Sequence, residues 1–209
     1  MTNVNIDRDV LAKMLLSAAA LLKEKADTLS EIDSRFGDGD HGVTILKIAG
    51  LIEKEVPLWK EGTMADFLDD LGMAVMEVKG GSAGPLYGTA IGGLGRDIAG
   101  LDSLDGKGAA AMLEGSLSEM EDLTTARTGD KTMMDALIPA ALAAGKTEGD
   151  ARAVWEAAAE AAEKGAEESK NHVARYGRAK SYKEKTIGTP DAGAVSLSLF
   201  LRGMAEGMK

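Results

Sequence analysis

The sequence predicts an all-α protein, a bundle of about eight helices with mostly short connections and antiparallel neighbours. Three observations predict it. Apolar residues recur at helical spacing in one segment after another. Only 4% of the 209 residues are aromatic, while Ala, Leu, Met and Gly abound, a balance that favours helices over sheets built on β-branched and aromatic side chains. Breaks rich in glycine, aspartate and proline separate the periodic segments. A chain of this length suffices for one sizeable core, so a single domain over 1–209 is expected.

The elements follow in order. Val10, Met14, Leu15, Ala18, Leu21 and Leu22 predict a first helix over about 7–29, capped by Asp7 or Asp9. After the Asp- and Gly-rich stretch 33–42, helical spacing returns over 43–55, with Pro57 just beyond. Thr63, with Asp66 three residues on, predicts a capping box for a helix reaching about Val78. The run 80–85, Gly-Gly-Ser-Ala-Gly-Pro, is a sharp break. The next helix, to about Ala99, contains Gly88, Gly92, Gly93 and Gly95. Each glycine costs a helix ~1 kcal/mol relative to Ala, so this density predicts close helix contacts or a backbone–ligand contact. Further helices are expected over about 105–123, 130–145 (capped by Asp130) and 149–170. A polar loop then leads to a last helix from Asp191 or Ala192 to about Met208. In an up-and-down bundle alternate loops share an end, so 33–42, 80–85, 128–132 and 175–193 can compose one site.

The formal net charge of −10 disfavours nucleic acid and membrane surfaces as partners. The absence of cysteine excludes disulfides and cysteine-based zinc sites but leaves the compartment open. Met1 to Asp9 contains no basic segment followed by an apolar run, so no secretory signal is expected. No stretch has the ~18 apolar residues of a membrane span. A cytoplasmic location is the expectation.

Asp33, Asp38 and Asp40 carry the most distinctive chemistry. Asp38 and Asp40 flank Gly39, whose freedom to turn lets both carboxylates aim one way, with Asp33 near enough to converge. Hard oxygen donors grouped in this way suit Mg²⁺. The alternative is a plain turn with a helix N-cap, since Asp and Gly dominate both. The spacing is not that of an EF-hand: Gly42 and Val43 fall where an oxygen ligand and a glycine are needed. Gly80-Gly81-Ser82-Ala83-Gly84 before a helix can cradle an anion on backbone N–H groups, or simply join two helices. Gly129-Asp130-Lys131-Thr132-Met133 fails as a Walker loop, because Asp130 interrupts Gly-Lys-Thr and no earlier glycine stands at the required position. Arg178, in a glycine-bounded loop, can reach phosphate oxygens or be part of a solvated basic loop with Arg175, Lys180, Lys183 and Lys185.

Taken in order, Gly-Asp-Gly-Asp-His-Gly (37–42), Gly-Gly-Ser-Ala-Gly-Pro-Leu (80–86), Gly-Asp-Lys-Thr-Met (129–133), Gly-Arg-Ala (177–179) and Asp-Ala-Gly-Ala (191–194) resemble the L subunit, or C-terminal nucleotide domain, of dihydroxyacetone kinases. The resemblance covers nearly the whole chain from Asp33. It implies an antiparallel barrel of eight helices with the nucleotide site at one end. It implies that Asp33, Asp38 and Asp40 hold Mg²⁺, two ions in that family, against the phosphates of ADP or ATP. His41, Gly42, Val43, Thr44, Ser82 and Ala83 would lie against the phosphates and nucleotide. Met133 and Thr124 would lie towards the base, Thr124 standing where some members have glycine. Arg178 would act on the transferring phosphoryl group and, with Asp191, Ala192 and Gly193, close over the nucleotide. Arg178-Ala-Lys180-Ser-Tyr182 is one residue longer than the family's Gly-Arg-Ala-Ser-Tyr pattern implies.

The resemblance further implies a phosphotransferase that needs a partner K subunit carrying the hydroxyketone. In members that keep ADP as a bound coenzyme, it also implies a phosphotransferase-system M subunit. Self-association as a homodimer stays open. The competing readings are an erythrulose or other tetrose kinase subunit, the nucleotide domain of a fatty-acid kinase, whose loop reads Gly-Asp-Thr-Gly, and a non-catalytic helical adaptor.

Overall fold

The computed structural model describes residues 4–209. The first three residues of the N-terminal stretch read above, and of the span 1–209, lie outside the described residues. Nine α-helices are present among those described: α1 (Arg8–Glu24), α2 (Ala26–Asp33), α3 (His41–Glu55), α4 (Met64–Met76), α5 (Ala83–Gly93), α6 (Gly106–Leu123), α7 (Met134–Ala144), α8 (Ala151–Glu168) and α9 (Ala192–Glu206). Their only β element is a single antiparallel bridge between Ile6 and Leu104. None of these helices is long and apolar enough to cross a membrane.

Local chemistry accounts for most helix starts. Asp7, Asp105, Asp150 and Asp191 each accept a backbone N–H from the first turn of α1, α6, α8 and α9. The Thr63–Asp66 capping box forms in both directions at α4. Asp150 also accepts the Val4 N–H, which pins the N-terminal segment across the start of α8.

Three expectations needed correction. The first helix is two, broken at Lys25, whose φ of −98° and ψ of 3° leave the helical basin. No proline or glycine marks that break; α2 turns there to pack on α3 and α9. The helix after Pro85 ends at Gly93 and gives way to a 3₁₀ turn over Arg96–Ile98. Asp130 does not cap α7, because that helix starts four residues later. Its carboxylate instead accepts the Arg127 N–H and pairs with Arg175.

Helix neighbours close a ring. α3 packs on α1 and α4, α4 on α5, α5 on α6, α6 on α7 and α8, α8 on α9, and α9 back on α1. The ring encloses one core, with Trp155, Tyr87, Leu15, Ile45, Ile48 and Leu68 sealed from solvent. The α4–α5 crossing shows why glycines are kept. A Cβ on Gly72 would stand 2.7 Å from the Gly88 carbonyl oxygen and 2.8 Å from Gly92 Cα, closer than real Cβ atoms approach.

Alternate connections meet at one end of the ring. There the C-terminus of α2 and the N-termini of α3, α5, α7 and α9 surround a common cleft.

Candidate functional site

The cleft has a volume of about 300 Å³. One wall is the loop between α2 and α3. Asp33 ends α2 and its Oδ2 accepts the Gly39 N–H at 2.8 Å. Gly39 has φ of +76°, a conformation glycine adopts without strain, and this turn folds the loop back over Asp33. Asp40 occupies the N-cap position of α3 but makes no capping bond. The turn-and-cap reading therefore does not account for its carboxylate. Ligand oxygens of Asp33, Asp38 and Asp40 lie within 4.8 Å of one another. Three carboxylates this close, all hard oxygen donors, fit a small divalent cation. Their mutual repulsion would otherwise oppose the arrangement.

The opposite charge comes from backbone. Four helix N-termini line the cleft: His41 of α3, Ser82 and Ala83 of α5, Met133 before α7, and Asp191, Ala192 and Gly193 at α9. Ser82 provides no side-chain cap to α5. The starts of α3 and α5 carry no side-chain cap, so their N–H groups and helix dipoles favour an anion, whereas Asp191 already accepts the Ala194 N–H at α9 and Thr132 Oγ1 the Met134 N–H at α7. Metal-ligand oxygens on one wall and N–H donors on the others suit a cation–polyphosphate pair.

The loop 171–190 forms the roof. Arg178 Nη2 lies 2.8 Å from Asp38 Oδ2, and the Tyr182 ring packs on Phe36 at 5.2 Å between centroids. These two contacts tether the roof to the aspartate loop.

Of the residues singled out from sequence, Asp33, Asp38, Asp40, His41, Ser82, Ala83, Met133, Arg178, Asp191, Ala192 and Gly193 all line the cleft. Gly42, Val43, Thr44 and Thr124 do not. Gly42 is buried against the Ala26 carbonyl, and Thr44 is buried beneath Gly80. Val43 faces solvent, and Thr124 ends α6 with its Oγ1 accepting the Ala126 N–H. Sequence reasoning missed Lys131 as a buried group and Asp135 altogether. Asp135 accepts the N–H groups of Gly129 at 2.7 Å and Thr132 at 2.8 Å and so shapes the loop before α7. The signal was present: Thr132-x-x-Asp135 has capping-box spacing.

Burial sets the protonation of the cleft floor. Desolvation pushes the His41 imidazole down, against the raising influence of Asp33 and Asp40. Its Nε2 shares a hydrogen bond of 2.9 Å with Ser196 Oγ. Desolvation also pushes the Lys131 ammonium down, with Asp191 and Asp135 opposing.

Asp191 goes the other way. Desolvation raises its carboxyl from 3.8 to about 7; the hydrogen bond from Ala194 opposes the rise, Asp135 adds to it and Lys131 offsets it. A carboxyl whose folded pKa lies above its unfolded value opposes folding once ionised. Below about pH 4 it is protonated in both states and contributes no penalty. Stability is lost as pH rises towards 7 and the penalty is constant above that. Asp191→Asn keeps a capping side chain but cannot ionise. Urea denaturation of both proteins from pH 4.5 to 8 should show the Asn variant gaining on the wild type as pH rises. The gain is on the order of 2 kcal/mol after allowance for partial solvent contact. A stability difference independent of pH would contradict the raised pKa.

Residues 35–206 match the DAK2 domain. The chain belongs to the DAK2-domain family. This DAK2 domain is 31% identical over 196 residues to L-erythrulose kinase of Pectobacterium atrosepticum, covering 91% of this chain and 33% of that protein. It is 29% identical to PEP-dependent dihydroxyacetone kinase 2, ADP-binding subunit DhaL, of Listeria innocua, covering 100% of this chain and 99% of that one. The crystal structure of the dihydroxyacetone kinase from C. freundii in complex with AMP-PNP and Mg²⁺ matches with a TM-score of 0.67 and 27% identity, over 98% of this chain and 35% of that chain. Its native form matches with a TM-score of 0.70. The DAK2 domain thus spans about a third of the erythrulose kinase and of the C. freundii enzyme, and nearly all of the Listeria subunit. The all-helical ring is the fold of that C. freundii region.

Proposed function

We propose that this chain, as one domain over 1–209, is the nucleotide-binding L-type subunit of a dihydroxyacetone-type kinase in the cytoplasm. It takes part in phosphoryl transfer from Mg²⁺-bound ATP, or from an ADP coenzyme that is rephosphorylated, to a small hydroxyketone held on a partner K subunit. One observation carries the reading: three carboxylates and four helix N-termini converge on a single cleft roofed by an arginine. A relative over the full length is named an ADP-binding subunit, and a fold neighbour is a kinase in complex with AMP-PNP and Mg²⁺.

The roles follow from placement. Asp33, Asp38 and Asp40 would hold Mg²⁺, two ions on this reading, and the bound metal would neutralise charge on the phosphates. N–H groups at the starts of α3 and α5 orient the phosphate chain. Met133 offers an apolar face to the nucleotide at the start of α7. Arg178 would bring a fixed positive charge to the transferring phosphoryl group. His41, held by the Ser196 hydroxyl, would place a polar ring on the cleft floor.

The same machinery serving erythrulose is a specific second reading, because two relatives of 31% identity are named L- and D-erythrulose kinases. The acceptor pocket belongs to the K subunit on either reading. A phosphotransferase-system M subunit would be the recharging partner if ADP is resident.

Calorimetric titration of nucleotide-free protein with ADP, in Mg²⁺ and then in EDTA, tests the proposal. Tight Mg²⁺-dependent binding that excess ATP hardly displaces indicates a resident ADP coenzyme. Weak binding readily exchanged for ATP indicates direct use of ATP. No binding in either buffer refutes the nucleotide reading and leaves a helical adaptor.

A further inference from the structure

The roof loop has a buried neck and an exposed head. Its ends, Ser169 and Thr189, are buried, as are Ala174 and Thr186, while Arg175 to Arg178 and Lys180 to Lys185 are exposed. Neck bonds run between its two sides: Gly188 N–H to the Lys170 carbonyl at 2.7 Å, and Ala174 N–H to Thr186 Oγ1 at 3.0 Å. Beneath the neck stands Lys131, only 4% exposed. Its Nζ donates to the Ser169 carbonyl at 2.7 Å and also to the Thr189 carbonyl, the two ends of the loop.

Two further features mark this lysine. Its φ of +62° is left-handed, one of only two such non-glycine residues among those described. Backbone strain of that kind persists where the surroundings demand it. Here the turn, held by Asp135 through Gly129 and Thr132, directs a long side chain inwards. An ammonium has three donors and no acceptor on a long stem, which suits bridging two carbonyls; the Ser169 hydroxyl joins the same ends more weakly, accepting the Asp191 N–H at 2.9 Å. Asp191 and Asp135 lie close enough to balance its charge.

We propose that Lys131 is a positioning residue: its ammonium clasps the two ends of the 170–188 loop and so sets the reach of Arg178 into the cleft. Lys131 also lines the cleft, but its Nζ is engaged by the two carbonyls, so in this role it acts through Arg178. The inference rests on the kinase reading for its effect on transfer, but not for its effect on the loop.

The test uses the full chain. Hydrogen exchange read by mass spectrometry on Lys131→Met should show amides of 171–188 at least ~10-fold less protected, with α1, α3 and α8 unchanged. Reconstituted with its K subunit, that variant should transfer phosphoryl at least ~10-fold more slowly, with Mg²⁺–ADP affinity changed less than ~3-fold. In an Arg178→Ala background, adding Lys131→Met should slow transfer no further, since the two act as one unit. Unchanged loop protection in the folded variant overturns the clasp. So does a Lys131 effect that persists without Arg178. Should Lys131→Met fail to fold, the wild-type protein still decides. A slowly exchanging Nζ–H signal assigned to Lys131 by ¹⁵N-lysine NMR is expected, and its absence overturns the proposal. Failure of the wild type to bind nucleotide would refute the kinase reading while leaving the exchange and NMR results to judge the clasp.

Discussion

Asp38→Asn is expected to weaken Mg²⁺-dependent ADP binding by ~100-fold or more, equivalent to about 2.8 kcal/mol, and to leave the fold intact. The side chain is exposed, and its ion-pair partner is Arg178 at 2.8 Å. No core contact is lost. Two effects compete. Removing one carboxylate takes away a charged oxygen from a cluster whose ligand atoms lie within 4.8 Å of one another, which weakens its hold on a dication strongly. Freeing Arg178 makes that guanidinium more available to phosphate and works the other way. An exposed pair of this kind is worth only ~0–1 kcal/mol, so the loss of the carboxylate wins. Calorimetry alongside circular dichroism decides it. Unchanged affinity in a folded variant would remove the metal assignment, and a comparable loss in EDTA would mean that Asp38 acts on the nucleotide without a metal.

Asp33 and Asp40 are less clean probes. Asp33 also receives the Gly39 N–H, so Asp33→Asn disturbs the loop as well as the cluster. Asp40 begins α3, where a loss of negative charge also changes the interaction with the helix dipole.

Much of this site was legible because its parts are local. Capping residues, glycine turns and clustered aspartates leave short-range signatures, and helical periodicity placed the loops between elements. Up-and-down connectivity then allows alternate loops to share an end, and the resemblance to dihydroxyacetone kinase L subunits supplied the site residues beyond the aspartate loop. What was not legible depends on tertiary packing. The break at Lys25 carries no glycine or proline, and the bend goes with the packing of α2 on α3 and α9. Asp130 looked like a cap because aspartate precedes a helix pattern, but the left-handed turn at Lys131 delays α7 to Met134 and passes the local bonding to Asp135. A lysine buried under a loop neck is the least readable, since the carbonyls it serves lie 38 and 58 residues away.

Arg178→Ala is expected to reduce phosphoryl transfer ~100-fold to ~1000-fold while lowering Mg²⁺–ADP affinity less than ~10-fold. The asymmetry follows from position and charge. Arg178 sits at the exposed head of the roof, its side chain 65% exposed, so its removal opens no cavity and stability should hold. On the proposed reading, ground-state affinity would come mainly from groups that stay: the carboxylate cluster and the N-termini of α3 and α5. A guanidinium at the cleft mouth matters most when charge redistributes on the phosphoryl group in transit, because a preorganised donor then acts without reorganisation. Arg178→Lys should restore only part of the rate, since an ammonium keeps the charge but loses the planar fork that can engage two oxygens. Steady-state and single-turnover rates with the K subunit, set beside calorimetric affinities, separate the roles. A loss of binding that matches the loss of rate would make Arg178 a grip on the nucleotide. Full recovery by lysine would reduce its contribution to charge alone.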